Sequence, residues 1–573
     1  MRISATRFLT FIFVFGTLPC AVAQNTLGKT TIHSLKKVGT ARISDVAGSL
    51  YSATARPRVQ PDRDDLVSVR RESIAKGMVA TANALGASLS VPNPRPHAVR
   101  TGGEGLGFPG LTTLDTANTN GFVVSPPDQG LCAGNGFILE AINLSMAVYN
   151  MTGAQITTPV SINSFFGADP NVTFLSDPKC YYDHRTQRWF MSVINVLNAS
   201  TNRSNIYLAV SQTADPTQAF TVYSIDTTDD GLNGTPNNPG CPCFGDQPLL
   251  GADRYGIYLS TNEFPLYVSG FNGTQIYAIS KAELETGSAF TLVHIGNLSL
   301  AEGTAYSVQP ATSPELSTEA KSGVEYFLSA LDFTGTLDNR IAVWALTNTS
   351  SLSQASPNVS LTNVVVNSEV YGQPVLATQK AGPYPLGQSL GAPEETLNTD
   401  DDRMEQVTYS QNHLWGALTT IVSDGTNQND GIAYFVVKPQ LKNGVLTATV
   451  DGQNYISVKN ASVIYPALGV TADGVAAASF TLSGPPYYPS AAFSYVAPSH
   501  ADAVRVVAVG AAAQDDFSGY PQYGGTGDAR WGDYSAAVAD GNVLWLATEY
   551  IPGGIDSINN FTDFGTFVYA VRP

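Results

Sequence analysis

Charge is scarce in this chain. Only 13% of its 573 residues are Asp, Glu, Lys or Arg, about half the roughly 25% usual for a soluble domain. Such a surface is wetted mostly by hydroxyl and amide groups, as exposed strand faces are. Beyond residue 23 no apolar run approaches the ~18 residues that a spanning helix requires, so no membrane span is expected. Cysteine is rare as well, with five residues in all. The spacing of Cys132, Cys180, Cys241 and Cys243 matches no zinc signature. The chain has neither a His-Glu-X-X-His string nor a glycine loop that would cradle phosphate. Its six histidines are scattered. Gly387-Gln388-Ser389-Leu390-Gly391 copies the nucleophile-elbow string, but Pro383, Pro385 and Pro393 deny it the flanking strand and helix.

Turn formers are abundant, with 52 Gly and 34 Pro. Many short strands joined by tight turns are therefore expected, an all-β composition. The net charge is −17 and is unevenly placed: residues 1–104 carry +8, which leaves −25 on the rest. A surface of that sign repels nucleic acid and anionic lipid and admits cations, basic partners and neutral glycans.

Residues 1–23 read as a secretory signal. Arg2 and Arg7 are its basic part, Phe8–Leu18 its apolar part and Ala21-Val22-Ala23 its cleavage site. The protein is thus expected outside the cytoplasm, secreted or periplasmic, where four remaining cysteines favour two disulfides. Cys132–Cys180 with Cys241–Cys243 is the favoured pairing, because Cys132 and Cys180 fall on equivalent strands. Residues 24–118 form a basic extension, either a propeptide or an arm packed on the main domain. Within it, Asp64 to Leu85 carries an amphipathic helical pattern.

From residue 119 a phrase recurs: an acidic or polar turn, a strand, a short hairpin, a second apolar strand, then an acid, amide or hydroxyl. Its clearest copies open at Asp177, Asp246 and Asp533. Fainter ones open near Asp128, Pro310, Met404 and Tyr465. The offsets are 49, 69, 64, 94, 61 and 68 residues. β units at such a period point to a propeller, here seven-bladed over residues 119–573. The seventh copy stops one strand short, and the segment just before the first copy, within Gly110–Val124, is the expected donor of that strand.

Several strings carry a family resemblance. They are Pro126-Pro127-Asp128, Gly134-Asn135-Gly136-Phe137, Ser176-Asp177-Pro178-Lys179, Tyr182-Asp183, Arg188-Trp189, Gly245-Asp246-Gln247-Pro248 and Arg530-Trp531-Gly532-Asp533-Tyr534-Ser535. Together they resemble a family of exported bacterial β-propeller proteins without settled activity, over roughly residues 120–573. The resemblance implies fold and export, and it implies no catalytic residues.

In a propeller the loop into each first strand and the loop out of each second strand open on one face, around the channel. That geometry gathers Asp128, Asp177, Asp246, Arg403 and Asp533 with Asn143, Asn195, Glu263, Asp332 and Glu549. Converging carboxylates ligate Ca²⁺ or raise one another's pKa for acid–base work. The plainer alternative is that each acid satisfies backbone N–H groups of a turn. Asp177, Asp246, Glu263, Asp332, Asp533 and Glu549 are the catalytic candidates. Arg403, Arg530, Trp531 and Tyr534 are the binding candidates. Asp400, Asp401 and Asp402, with Asp229 and Asp230, have ligand-like spacing but no closing Glu of a calcium loop. Trp189 and Trp545 read as packing residues.

The expected function is a non-catalytic binding or surface-interaction module, stabilised by Ca²⁺ if by any cofactor. It would meet an extracellular protein or glycan as a monomer. The alternative is a glycan-active hydrolase or lyase working through the carboxylates at the channel mouth.

Overall fold

The structure, a computed structural model, describes residues 28–46, 89–102, 105–170, 172–288, 290–314, 320, 323–331, 337–553 and 563–572, with the backbone of 24–25 and 58–59. The signal segment, the helical pattern at 64–85 and Asp332 lie outside the described residues.

The three longest strands before the repeats are β1 (Lys29–Ala41), β2 (Val99–Thr101) and β3 (Gly107–Thr112). The recurring phrase then folds each time into antiparallel strands. The first unit comprises β4 (Gly130–Gly134), β5 (Phe137–Ile142), β6 (Ser145–Asn150) and β7 (Val160–Ser161). The second comprises β8 (Leu175–Asp183), β9 (Arg188–Asn198), β10 (Arg203–Ser211) and β11 (Phe220–Asp226). The third comprises β12 (Cys243–Ala252), β13 (Gly256–Pro265), β14 (Thr274–Ser280) and β15 (Phe290–Gly296). In the fourth are β16 (Gln309–Thr312), β17 (Val324–Ser329), β18 (Leu337–Thr347) and β19 (Ser360–Gly372). Next come β20 (Val407–Ser410), β21 (His413–Ser423), β22 (Gln428–Lys442) and β23 (Val445–Ile456). They are followed by β24 (Ser462–Val470), β25 (Ala476–Gly484), β26 (Tyr487–Ala497) and β27 (Val504–Ala508). The last unit has β28 (Ala536–Asp540), β29 (Val543–Tyr550) and β30 (Gly565–Val571). The fold is all-β and propeller-like.

The extension is stitched into these sheets. β3 pairs antiparallel with β30 and gives the last unit its fourth strand. It starts three residues before the expected donor segment. Thr113–Asn120 is instead a helix, because Thr112 and Asp115 cap each other's backbone N–H and Gly121 closes the end in the left-handed region. β2 pairs in parallel with β27. β1 lies between β11 and β15, antiparallel to both, and fuses the second and third units into one nine-stranded sheet. Inner strands β16 and β20 pair in parallel across the boundary between the fourth and fifth units.

Strands β12 and β13 are buried at every position, because neighbouring units cover both of their faces. The core therefore lies between units. Trp189 and Trp545 are buried in it, and Trp344 donates to Ser329 Oγ at 3.0 Å. Cys132–Cys180 joins β4 to β8, the inner strands of adjacent units, and Cys241–Cys243 is the second disulfide. Among the described residues no helix is long and apolar enough to cross a membrane.

Candidate functional site

Six of the seven inner strands contain or follow a backbone irregularity. Asp128, Asp177, Gln247, Ser307, Asp400 and Tyr465 all have φ between 42° and 54°. Beside Asp177, Gln247 and Tyr465 the ladder skips, with register shifts between Ser176 and Lys179, Asp246 and Leu249, and Ile464 and Ala467. Pro178, Pro248 and Pro466 occupy those bulges, where a missing N–H costs no ladder hydrogen bond. A left-handed non-glycine residue costs on the order of 1–3 kcal/mol and persists only where its surroundings dictate it.

Side chains of the preceding unit dictate it here. Asp177 N–H donates to Asn143 Oδ1 at 2.9 Å, Ser307 N–H to Asn262 Oδ1 at 2.8 Å, and Tyr465 N–H to Thr419 Oγ1 at 3.0 Å. In each case a residue within, or just after, a second strand holds the opening turn of the next unit. Asn143 also donates to Asp128 Oδ2 at 2.7 Å, and Asp128 Oδ1 accepts from Asp533 N–H at 2.9 Å. That contact links the first unit to the last. Replacing Asn143 by Ala removes the acceptor of one buried N–H and the donor to one buried carboxylate. The expected cost is about 2–4 kcal/mol, read as a lower Tm in thermal denaturation.

The sequence candidates divide accordingly. Asp177, Asp246 and Glu549 ring the mouth at 1%, 2% and 2% exposure. Glu549 Oε2 accepts from Gly532 N–H at 2.7 Å, and burial pushes its carboxyl well above the usual range. Asp533, partly exposed, is 3.4 Å from Arg530. Arg403 clasps Asp401 through two nitrogens at 2.7 Å, lies 2.9 Å from Asp400, and donates to Gln247 Oε1 at 2.7 Å across the mouth. A guanidinium thus sits where the sequence suggested a calcium ion. Trp531 is buried and donates to Thr481 Oγ1 at 3.2 Å, so it offers no free face to a sugar. Tyr534 is buried beneath Lys179, whose Nζ stands 2.7 Å from the ring centroid.

Lys179 was not singled out by its sequence. It lines a channel cavity of about 60 Å³ with Gln129, Gln309, Glu405 and Gln406. Burial lowers its amine to about 7, against the pull of Glu405, Asp128, Asp177 and Asp533. Burial likewise raises Glu405 well above the usual carboxylate range. The elbow-like string falls in the short helix Pro385–Leu390, where exposed Ser389 donates to Leu386 O.

Glu263 leaves the channel set. Asn262, not Glu263, pairs with Asp246 and reaches Ser307. Successive strand residues face opposite sides, so Glu263 turns away by parity alone. It meets Asp229 instead, together with Asn238 and Asn272, which donate to Glu263 Oε1 at 2.9 and 2.8 Å. With two amide donors Glu263 keeps the charge. Asp229 keeps the proton: burial, then Glu263, pushes its carboxyl up to about 10. Asp230, and Asp226 beside it, are ion-paired to Arg203 at 2.6 and 2.7 Å. Cys241, Cys243 and Glu263 place three ligand-type atoms within 4.8 Å of one another, but both sulfurs are held in the disulfide.

A raised acid contributes its stability below the unfolded pKa and loses it as pH climbs toward the folded value. Wild type should therefore lose several degrees of Tm relative to Asp229→Asn between about pH 5 and pH 9. A Tm–pH series on the two proteins checks this.

No protein-family model matches the chain, and no curated protein matches it. Among solved structures it is similar to an exo-β-1,3-galactanase from Clostridium thermocellum, at 10% identity over 82% of this chain and 99% of that one, TM-score 0.25. It is also similar to an α-L-arabinofuranosidase from Podospora anserina, at 12% identity over 60% and 98%, TM-score 0.26. A third likeness is to Drosophila Plexin A in complex with Semaphorin 1b, at 9% identity over 84% and 88%, TM-score 0.31. A galactanase, an arabinofuranosidase and Plexin A thus stand side by side at scores too low to carry an argument for any of them.

Proposed function

We propose that this chain is an exported seven-bladed β-propeller, akin to the exported bacterial propellers it resembles, that acts as a binding or surface-interaction module and not as a hydrolase. One observation carries the reading: side chains at the channel mouth latch one unit to the next. Asp128 and Asn143 hold backbone N–H groups of neighbouring units. A glycosidase needs two carboxylates about 5–10 Å apart with a sugar between them. Asp177, Asp246 and Glu549 are almost wholly buried. Two disulfides suit an oxidising compartment.

The test pairs a glycan array with reducing-end assays on the glycans retained. Binding without release of reducing ends is the expected result. Release that is lost in Asp533→Asn or Glu549→Gln, with Tm preserved, would instead establish the hydrolase. Because Arg403 and Arg203 already pair with carboxylates of the acidic loops, a chelator should leave Tm within about 1 °C. A larger fall would restore the calcium reading.

A further inference from the structure

The two disulfides differ in what they constrain. Cys132 and Cys180 are 48 residues apart, Cys241 and Cys243 only 2. A cross-link restricts the unfolded chain in proportion to the logarithm of its loop, so the second adds little constraint. Its surroundings are chemical rather than mechanical. Cys241 is partly exposed, whereas Cys243 is fully buried. Glu263 Oε1 lies 3.7 Å from Cys241 Sγ, and the three ligand-type atoms of Cys241, Cys243 and Glu263 are within 4.8 Å of one another. Asn272 Nδ2 reaches both sulfurs, at 3.7 and 3.5 Å, and Glu263 Oε1 at 2.8 Å. Behind Glu263, buried Asp229 keeps one carboxyl oxygen without a hydrogen-bond partner. An accessible sulfur, a buried leaving sulfur and a proton held beside it are the parts of a thiol–disulfide exchange centre.

We propose that Cys241–Cys243 is an exchange-active disulfide that oxidises dithiols. A substrate thiolate attacks Cys241 Sγ, and the Cys241–Cys243 bond breaks. Its electron pair passes to Cys243 Sγ, which takes a proton through Glu263 as Asp229 hands its own to Glu263, while the Asn272 amide steadies the departing sulfur. The substrate's second thiol loses its proton to water and attacks the substrate sulfur of the mixed disulfide. Cys241 is released, and the substrate leaves as a disulfide. The protein gains the two electrons that the dithiol loses, and the carboxyl pair regains its proton from solvent. Glu263 adjoins the sulfurs, and Asp226 and Asp230 act on Asp229 behind it, with Arg203 as their counter-charge. The fitting substrate is therefore a peptide or protein dithiol without net negative charge.

The test uses the full chain and dithiothreitol, with thiol alkylation read by mass spectrometry and folding followed by circular dichroism. Cys241 and Cys243 should be alkylated in the folded protein at reductant levels that leave Cys132–Cys180 intact. Cys243→Ser, which leaves Cys241 as a free thiol, should attack the disulfide-linked dimer of a neutral one-cysteine peptide, keep one peptide as a mixed disulfide and release the other as a thiol, and Cys241→Ser should trap at least about tenfold less. Glu263→Gln should slow reduction by about a hundredfold while Tm is retained. The proposal fails if both disulfides yield together only as the protein unfolds, or if the two serine variants trap equally.

Discussion

Deleting residues 24–46 should lower Tm by at least roughly 10 °C, or leave the protein insoluble. β1 is not an appendage to the fold. It pairs with β15 from Phe290↔Leu35 to Gly296↔Lys29 and with β11 from Phe220↔Ala41 to Ser224↔Lys36. Leu35 and Ile43 are completely buried, and His33 contacts His294 at 3.2 Å. Losing a side chain such as Leu35 alone costs about 2–5 kcal/mol. Each ladder hydrogen bond adds about 0.5–1.5 kcal/mol net. The sum rivals the ~5–15 kcal/mol that holds a typical domain together. Deletion also bares the edges of β11 and β15, which invites pairing between molecules. Scanning calorimetry and light scattering on the truncated chain check both consequences. A Tm within about 2 °C of wild type would mean that β1 is dispensable and that the extension behaves as a propeptide.

The second large effect is expected at Lys281. Its Nζ lies 2.9 Å from Asp183 Oδ1, with side-chain exposures of 3% and 1%. Asp183 also accepts from Thr186 N–H and Oγ, at 3.0 and 2.8 Å, which fixes the hairpin between β8 and β9. Lys281 follows β14, so the pair ties the second unit to the third. Lys281→Met should cost about 3–5 kcal/mol, because it strands a buried carboxylate. Adding Asp183→Asn should recover part of that loss, and a double-mutant cycle by denaturant titration measures the coupling. Burial alone would raise the Asp183 carboxyl, but Lys281 and Thr186 outweigh it and hold it below the usual value. A depressed acid contributes stability above its unfolded pKa and loses it as pH falls through the folded pKa. The gap between wild type and Lys281→Met should thus be widest at neutral pH and close in strong acid.

Much of the fold was legible locally. The opening phrases at Asp177, Asp246 and Asp533 each stand at the head of an inner strand, and Cys132 and Cys180 occupy equivalent strands that the disulfide joins. β1 was not legible. Its register is set by two outer strands about 180 to 265 residues away, and with Lys29, Lys36 and Lys37 it read only as part of a basic extension, either a propeptide or a packed arm. Asn262 was missed for a subtler reason. An acid stood beside it at Glu263, and chemistry drew attention where parity should have decided.

From its own residues the chain determined an all-β repeat and the placing of its turns, because alternation, bulge prolines and turn residues act over a few neighbours. Which side chains share a site was decided by closure of the ring. Asp128 meets the backbone of Asp533 across 405 residues, and Arg403 reaches Gln247 across 156. Such contacts depend on how whole sheets stack and which face each strand residue presents, and neither is written in any local stretch of the sequence.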